Sequence, residues 1–115
     1  MPKQLYSVES TFSALSDPTR RAVIQRLCTG PATVSQLAGR FSMALPSFVQ
    51  HLNVLEQAGL LVSRKEGRVR TCELNPQALG QAEKWLASHL RQWQGRLDQL
   101  EAHISKSKKR ENRNE

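Results

Sequence analysis

The chain has 115 residues, of which 17 are Lys or Arg and 10 are Asp or Glu, giving a formal net charge of +7 and an isoelectric point near 10.1. This length suits one domain with a small core, and the excess positive charge predicts an anionic partner. No apolar run is long enough to span a bilayer, and residues 1–10 lack the apolar stretch of a signal peptide, so we expect a cytoplasmic protein with no membrane partner.

The spacing of apolar residues and capping residues predicts three helices in the first 41 residues. Asp17 followed by Pro18 is a typical start for the second helix, which we expect to end at Gly30. Thr33 and Gln36 form a capping-box pair that opens the third. The predicted inward-facing residues are Leu5, Val8, Phe12 and Leu15 in the first helix, Val23, Ile24, Leu27 and Cys28 in the second, and Val34, Leu37, Ala38 and Phe41 in the third.

The segment from Leu45 to Gly59, LPSFVQHLNVLEQAG, predicts a fourth, amphipathic helix. A proline opens it, a glycine closes it, and an apolar stripe recurs at helical spacing. The short link 42–45 joins it to the third helix, so the two form a helix-turn-helix. Its stripe consists of Phe48, Leu52 and Leu55, while Ser47, Gln50 and His51 share a second, polar face at i, i+3 and i+4.

Two β-prone runs follow, Leu60 to Ser63 and Val69 to Leu74, around a charged tip that extends from Arg64 to Arg68. Reading double-stranded DNA requires a helix with a small polar face beside a cationic hairpin, because the helix fits the major groove and the charges hold phosphates. The candidate DNA-binding residues are Ser47, Gln50, His51, Val54, Arg64, Lys65, Arg68 and Arg70.

A long last helix begins at Asn75-Pro76, and its apolar residues form a near-heptad seam from Leu86 to Ile104. A seam of this length predicts a two-fold homodimer in which the first helix packs alongside, although the helix could instead fold back over its own core. The candidate interface residues are Leu5, Val8, Phe12, Leu86, Leu90, Trp93, Leu97 and Leu100.

We expect residues 1–104 to form the folded domain and residues 105–115 to form a disordered basic tail. The tail holds five basic and two acidic residues and no large hydrophobe. It either solubilises the chain or adds a weak, sequence-blind contribution to polyanion binding.

In this order, these pieces resemble a known family. Residues 12–104 resemble the winged-helix repressors of the arsenical-resistance (ArsR) family of bacterial transcription factors, through ALSDPTRRAVIQRL, TVSQLA, LPSFVQHLNVLEQAGLL and EGRVRTCEL. The resemblance implies a mainly α fold with a small β-hairpin in the order α1-α2-α3-α4-β-β-α5, and a homodimer formed through the terminal helices. It also implies binding to an imperfect promoter palindrome until a signal releases the protein. Ser47, Gln50 and His51 fall where the family's recognition helix faces bases and phosphates, and Arg68 and Arg70 fall on its wing.

The chain departs from the family pattern at the fourth helix and at the sensing positions. Phe48 and Val49 replace a small aliphatic residue and a serine, and Ala44 gives a weak helix start where a serine cap is common. Where many members carry Cys-x-Cys, this chain has Thr33 and Ser35. The resemblance therefore implies the branch without that metal site, and the effector is unknown.

The histidines and cysteines support no metal site or cofactor. His89 and His103 lie fourteen residues apart and cannot chelate one ion from a single chain, which leaves open only an ion shared by histidines across a dimer. Cys28 and Cys72 show no zinc spacing and suit a reducing compartment. We expect both thiols to be packed in the core, and leave a redox role for either open.

Two other classes of function are alternatives to DNA reading. A winged-helix module that binds protein or RNA would form the same dimer but show no base preference. An enzyme is not predicted, because the chain has neither a Gly-rich phosphate loop nor a nucleophile motif such as G-x-S-x-G.

Overall fold

The computed structural model describes residues 7–113, and side chains as far as Arg110. Contacts divide the chain into two compact units, here called the body (residues 7–82) and the C-terminal segment (residues 83–113). In chain order the elements are α1 (Val8–Ala14), α2 (Pro18–Leu27), β1 (Ala32–Thr33), α3 (Val34–Ala38), α4 (Leu45–Gln57), β2 (Leu61–Glu66), β3 (Val69–Leu74) and α5 (Pro76–Arg113).

The predicted caps of α2 and α3 are confirmed. The carboxylate of Asp17 accepts a hydrogen bond from the backbone N–H of Arg20 at 3.0 Å, with Pro18 in the first turn. The Thr33 hydroxyl accepts from the Gln36 backbone N–H at 3.1 Å, and the Gln36 side chain accepts from the Thr33 backbone N–H at 2.9 Å. Ala44, by contrast, makes no side-chain cap on α4, so this helix begins as weakly as its sequence predicts.

The core of the body lies where α2, α3 and α4 pack against the sheet. The predicted stripe of α4 is confirmed, since Phe48, Leu52 and Leu55 are all fully buried. Beyond the end of α3, Phe41 packs against this core and lies 5.3 Å from the ring of Phe48. Fully burying one such side chain contributes about 1.5–3 kcal/mol, so this stripe holds α4 in a fixed orientation on the body.

The sheet has three antiparallel strands in the order β1-β3-β2, where the sequence predicted only a hairpin. The additional strand, β1, pairs Ala32 with Cys72 and Thr33 with Thr71. It escaped prediction because two residues show no alternation and Ala has low β-propensity. Its pairing makes β3 the central strand.

The hairpin of β2 and β3, here called the wing, is confirmed with a shorter tip than predicted. The strands pair from Leu61 with Leu74 out to Glu66 with Val69, so Arg64 and Lys65 are strand residues. Only Gly67 and Arg68 form the turn. Gly67 adopts φ +62°, which suits the first central position of a tight hairpin turn and leaves the strands paired to their ends.

The two cysteines differ in burial, and the expectation for Cys28 was wrong. Cys28 is the C-cap residue of α2, one position past Leu27, and its side chain is exposed. Cys72 is fully buried on β3, as predicted, and burial raises the pKa of its thiol.

At the N-terminal end, Leu5 lies outside the described residues, and α1 begins at Val8. At the other end α5 continues to Arg113, so the structure departs from the tail predicted to begin at residue 105. Residues 105–113 contain no proline or glycine and several good helix formers, so the lack of large hydrophobes there removes packing without ending the helix. Between residues 7 and 113, no helix is long and apolar enough to cross a membrane.

Candidate nucleic-acid-binding surface

The side of α4 opposite its buried stripe is polar and exposed. Gln50, Asn53 and Gln57 lie along its centre, with Ser47 and the partly exposed Val54 on one flank. Amide side chains donate and accept hydrogen bonds, which is the chemistry that base edges require. Sequence reasoning missed Asn53 and Gln57, although their spacing of i+3 and i+7 from Gln50 was a usable signal.

His51 lies on the flank of α4 that faces α1 and α2, not at the centre of the exposed side. Its Nδ1 accepts a hydrogen bond from Nη1 of Arg20 at 3.1 Å, and the carboxylate of Asp17 lies 3.8 Å away. Because a guanidinium only donates, this contact leaves the ring proton on Nε2. His51 therefore holds α4 against the start of α2, with about a quarter of its side chain exposed.

Arg20 and Asp17 complete this junction. The Arg20 side chain also donates from Nε to the Ala14 carbonyl at 2.6 Å and from Nη2 to the Ser13 carbonyl at 3.3 Å. The hydrogen bond from the Arg20 backbone N–H is the main cause that lowers the pKa of Asp17. One arginine thus joins the end of α1, the start of α2 and the flank of α4.

The four predicted cations of the wing lie on different parts of the hairpin. Pairing of Lys65 with Arg70 places these two side chains on the hairpin face that also carries Ser63 and Cys72. Arg64 points to the opposite face, and Arg68 lies in the turn. Arg64, Lys65 and Arg68 are all exposed, so three of the four predicted wing cations are open to an anionic partner.

Arg70, the fourth predicted cation, is bonded within the chain. Its Nη2 donates to Oε2 of Glu56 at 2.9 Å and approaches Oδ1 of Asn53 at 3.3 Å. The other oxygen of the same carboxylate, Oε1, accepts from the Ser63 hydroxyl at 2.5 Å. Both strands of the wing are therefore tied to α4 through one glutamate.

A cleft of about 590 Å³ separates α3 and α4 from the wing. Its apolar walls include Leu45, Val49 and Val69, and its basic walls are Lys65, Arg68 and Arg70. Among the side chains that the structure describes, no acidic one lines it. A sugar-phosphate backbone has matching chemistry, since it presents anionic oxygens beside apolar sugar carbons.

The family's metal-binding positions hold hydroxyl groups here. Thr33 and Ser35 line the same cleft, and the Thr33 hydroxyl is already bonded as the cap of α3. Within residues 7–113, no group of three or more His, Cys, Asp or Glu side chains could hold a metal ion.

The residues predicted for self-association fall in two places. Val8 is half-buried and Phe12 is partly exposed on α1. In the C-terminal segment Leu86, Leu90, Trp93, Leu97 and Leu100 are all exposed, together with Ile104. Whether a second copy covers them stays a prediction.

A helix-turn-helix whose second helix exposes an amide-rich face beside a basic two-stranded wing defines a winged-helix DNA-binding protein. The helix-turn-helix domain family HTH_20 matches residues 15–64. The chain is 40% identical over 73 residues to the HTH-type transcriptional regulator Rv2034 of Mycobacterium tuberculosis, covering 64% of this chain and 68% of that protein. It is 31% identical over 83 residues to the transcriptional repressor SdpR of Bacillus subtilis, covering 72% and 92%. The crystal structure of an ArsR family transcriptional regulator, RHA00566, matches with a TM-score of 0.75 and 47% identity, covering 82% of this chain and 97% of that one.

The chain belongs to the ArsR family of helix-turn-helix transcriptional regulators. It is a DNA-binding transcriptional regulator and not an enzyme. The resemblance seen in its motifs is confirmed, with the addition of the strand β1 to the expected fold.

Proposed function

We propose that the chain is a homodimeric, cytoplasmic repressor that reads a palindromic operator. Each subunit inserts α4 into a major groove, and the two helices contact the same side of the duplex about one turn apart, ~34–36 Å. Bound at a promoter, such a dimer blocks transcription. The name of the relative SdpR, a transcriptional repressor, supports this mode of action.

The observation that carries the proposal is the exposed amide side of α4 beside the basic cleft. Gln50 lies near its centre, where its amide can form paired hydrogen bonds to an adenine edge. Lys65 and Arg68 lie across the cleft, placed to hold the backbone of the strand being read. The helix supplies sequence preference, while the wing supplies affinity.

Self-association is supported by the C-terminal segment. Leu86, Leu90, Trp93, Leu97, Leu100 and Ile104 recur every three or four residues along α5, and all are exposed. Such a seam matches the spacing at which two helices pack around each other. The two-fold symmetry of such a dimer matches the symmetry of the palindromic operator proposed here.

The test is selection of a duplex from a random-sequence pool, followed by titration of that duplex and of poly(dI-dC) at several salt concentrations. Gln50→Ala should cost about 1–3 kcal/mol of discrimination between the two DNAs. Arg68→Ala should weaken binding to both DNAs and reduce the slope of log affinity against log salt concentration by about 1. Arg91→Ala, which removes an exposed charge on α5, is the matched control and should leave preference unchanged.

Two results would contradict the proposal. Enrichment of no sequence would favour the alternative module that binds protein or RNA. Retention of full discrimination by Gln50→Ala would mean that another part of the surface reads the bases.

A further inference from the structure

We infer that Glu56 is a positioning residue for DNA recognition, which sets the angle between the wing and α4. The inference rests on the proposed function and concerns the same surface. Glu56 is an acidic residue on a helix that must approach phosphates, so its charge alone opposes binding. Its position is explained if the carboxylate holds the wing at the angle to α4 that DNA reading requires.

The carboxylate contacts both strands of the wing at once. Oε1 accepts from Ser63 on β2, and Oε2 accepts from Arg70 on β3 at 2.9 Å. The Arg70 side chain is 22% exposed and that of Glu56 38% exposed, so the pair is partly shielded from solvent. Hydrogen bonds to ionised groups are about twice as strong as neutral ones, which suits them to hold two elements in register.

The bridge contacts the wing beyond its base. Leu60 and Leu61 fix the base in the core, and both are buried. Ser63 lies two residues beyond Leu61, and Arg70 pairs with Lys65, two residues further out. The turn at Gly67 lies six residues beyond Leu61, or about 20 Å along the strand at ~3.3 Å per residue. A pivot of about 10° at the base would move the turn by roughly 3.5 Å, which exceeds the reach of a hydrogen bond.

The bridge also changes the role expected of Arg70 in DNA binding. With its Nη2 bonded to Glu56 and Asn53, this guanidinium acts through α4, whereas Arg68 and Lys65 remain the cations that meet phosphate. Asn53 is drawn into the same contact, so the bridge reaches the exposed side of α4. Wing position and the reading face are thereby coupled.

The experiment compares two glutamates of equal charge. Glu56→Ala removes the bridge, while Glu66→Ala removes an exposed carboxylate at the wing's outer end. Each variant is titrated against the duplex selected by the unaltered chain and against poly(dI-dC), and thermal unfolding is recorded in parallel. Losing an acid should by itself strengthen binding to any DNA, and Glu66→Ala should show only that effect.

Glu56→Ala should weaken binding to the selected duplex by about tenfold, the ratio expected for loss of one hydrogen bond to a charged group, while poly(dI-dC) binding stays equal or strengthens. Arg70→Ala should weaken selected-duplex binding in the unaltered chain but add little once Glu56 is alanine, and it should leave the salt slope unchanged.

The inference is overturned if Glu56→Ala behaves like Glu66→Ala. It is also overturned if Glu56→Ala weakens both DNAs equally together with a loss of thermal stability, since that pattern reports folding alone. If the unaltered chain selects no duplex, the proposed function fails first and the inference fails with it, a result seen before any variant is made.

Discussion

The body and the C-terminal segment carry the same kind of helical apolar stripe, with opposite outcomes. In α4 the stripe of Phe48, Leu52 and Leu55 is fully buried. In the C-terminal segment the six stripe residues from Leu86 to Ile104 keep 39–59% of their surface exposed. Apolar periodicity therefore predicts an apolar face on a helix, but it does not show whether residues of the same chain bury that face.

The lengths of the two stripes explain the difference. The α4 stripe occupies two turns between a proline and a glycine, which fits beneath a small sheet. The α5 stripe extends over 19 residues, from Leu86 to Ile104, or about 27 Å at a rise of 1.5 Å per residue, and covering it takes a second helix of about equal length. The body thus covers its own stripe, whereas cover of the C-terminal segment by a second copy stays a prediction.

The largest expected effect is on the stability of the body. Phe48→Ala should lower the free energy of unfolding by about 3–5 kcal/mol, because a fully buried ring leaves a cavity and Phe41 loses its neighbour. Urea unfolding at one fixed protein concentration measures this loss. Val54→Ala in the same helix is the control, and as a surface change it should cost within about 0.5 kcal/mol. Equal losses for the two variants would contradict the packing described for α4.

The next effect is confined to association. The double change Leu90→Glu with Leu97→Glu should raise the dimer dissociation constant by at least about 100-fold, because each leucine that the proposed dimer buries contributes about 1.5–3 kcal/mol. Sedimentation equilibrium measures the constant, and circular dichroism reports whether the body stays folded.

The matched control for that pair is Gln92→Glu with Gln99→Glu. It adds the same charges at the same spacing, two positions further along α5 and away from the stripe, so it should leave association nearly unchanged. A fully monomeric unaltered chain, or equal dissociation constants for the two variants, would mean that the stripe does not join copies.

Features set by neighbouring residues were predictable from the sequence. The caps at Asp17 and Thr33, the α4 stripe and the hairpin all depend on residues within a few positions of one another. The strand β1 was not predictable, since Ala32 pairs with a residue forty positions away. Cys28 was misplaced because helical periodicity shows which residues share a face but not whether the fold covers the end of that face.

The candidate DNA-binding surface likewise combines features that local spacing predicts with contacts between distant residues that it does not predict. Spacing placed Ser47 and Gln50 on an exposed face, but it could not show that Arg20 lies opposite His51. Likewise the basic character of Arg70 was plain, while its bond to Glu56 depends on the register that sets β3 beside β2 and on the packing of both against α4. A residue's type suggests a partner, but tertiary packing decides which partner it meets.

The smallest expected effect concerns Asp17, whose titration should change the stability of the body and leave self-association unchanged. The hydrogen bond from the Arg20 backbone N–H holds the pKa of Asp17 below its usual range. A carboxyl whose folded pKa is lowered stabilises the fold fully above its unfolded pKa, about 3.9, and loses that contribution as pH falls through the lowered value. Asp17→Asn keeps a cap acceptor but cannot titrate.

Urea unfolding of both chains from pH 7 to pH 2 measures this contribution. Other carboxyls titrate in both proteins, so only the difference between the curves belongs to Asp17. That difference should be constant down to about pH 4 and then change as the unaltered chain loses stability faster than the variant. Parallel curves over the whole range would show that the Asp17 carboxylate does not favour the folded body, and a change in dimer dissociation at pH 7 would show that the two units are not energetically separate.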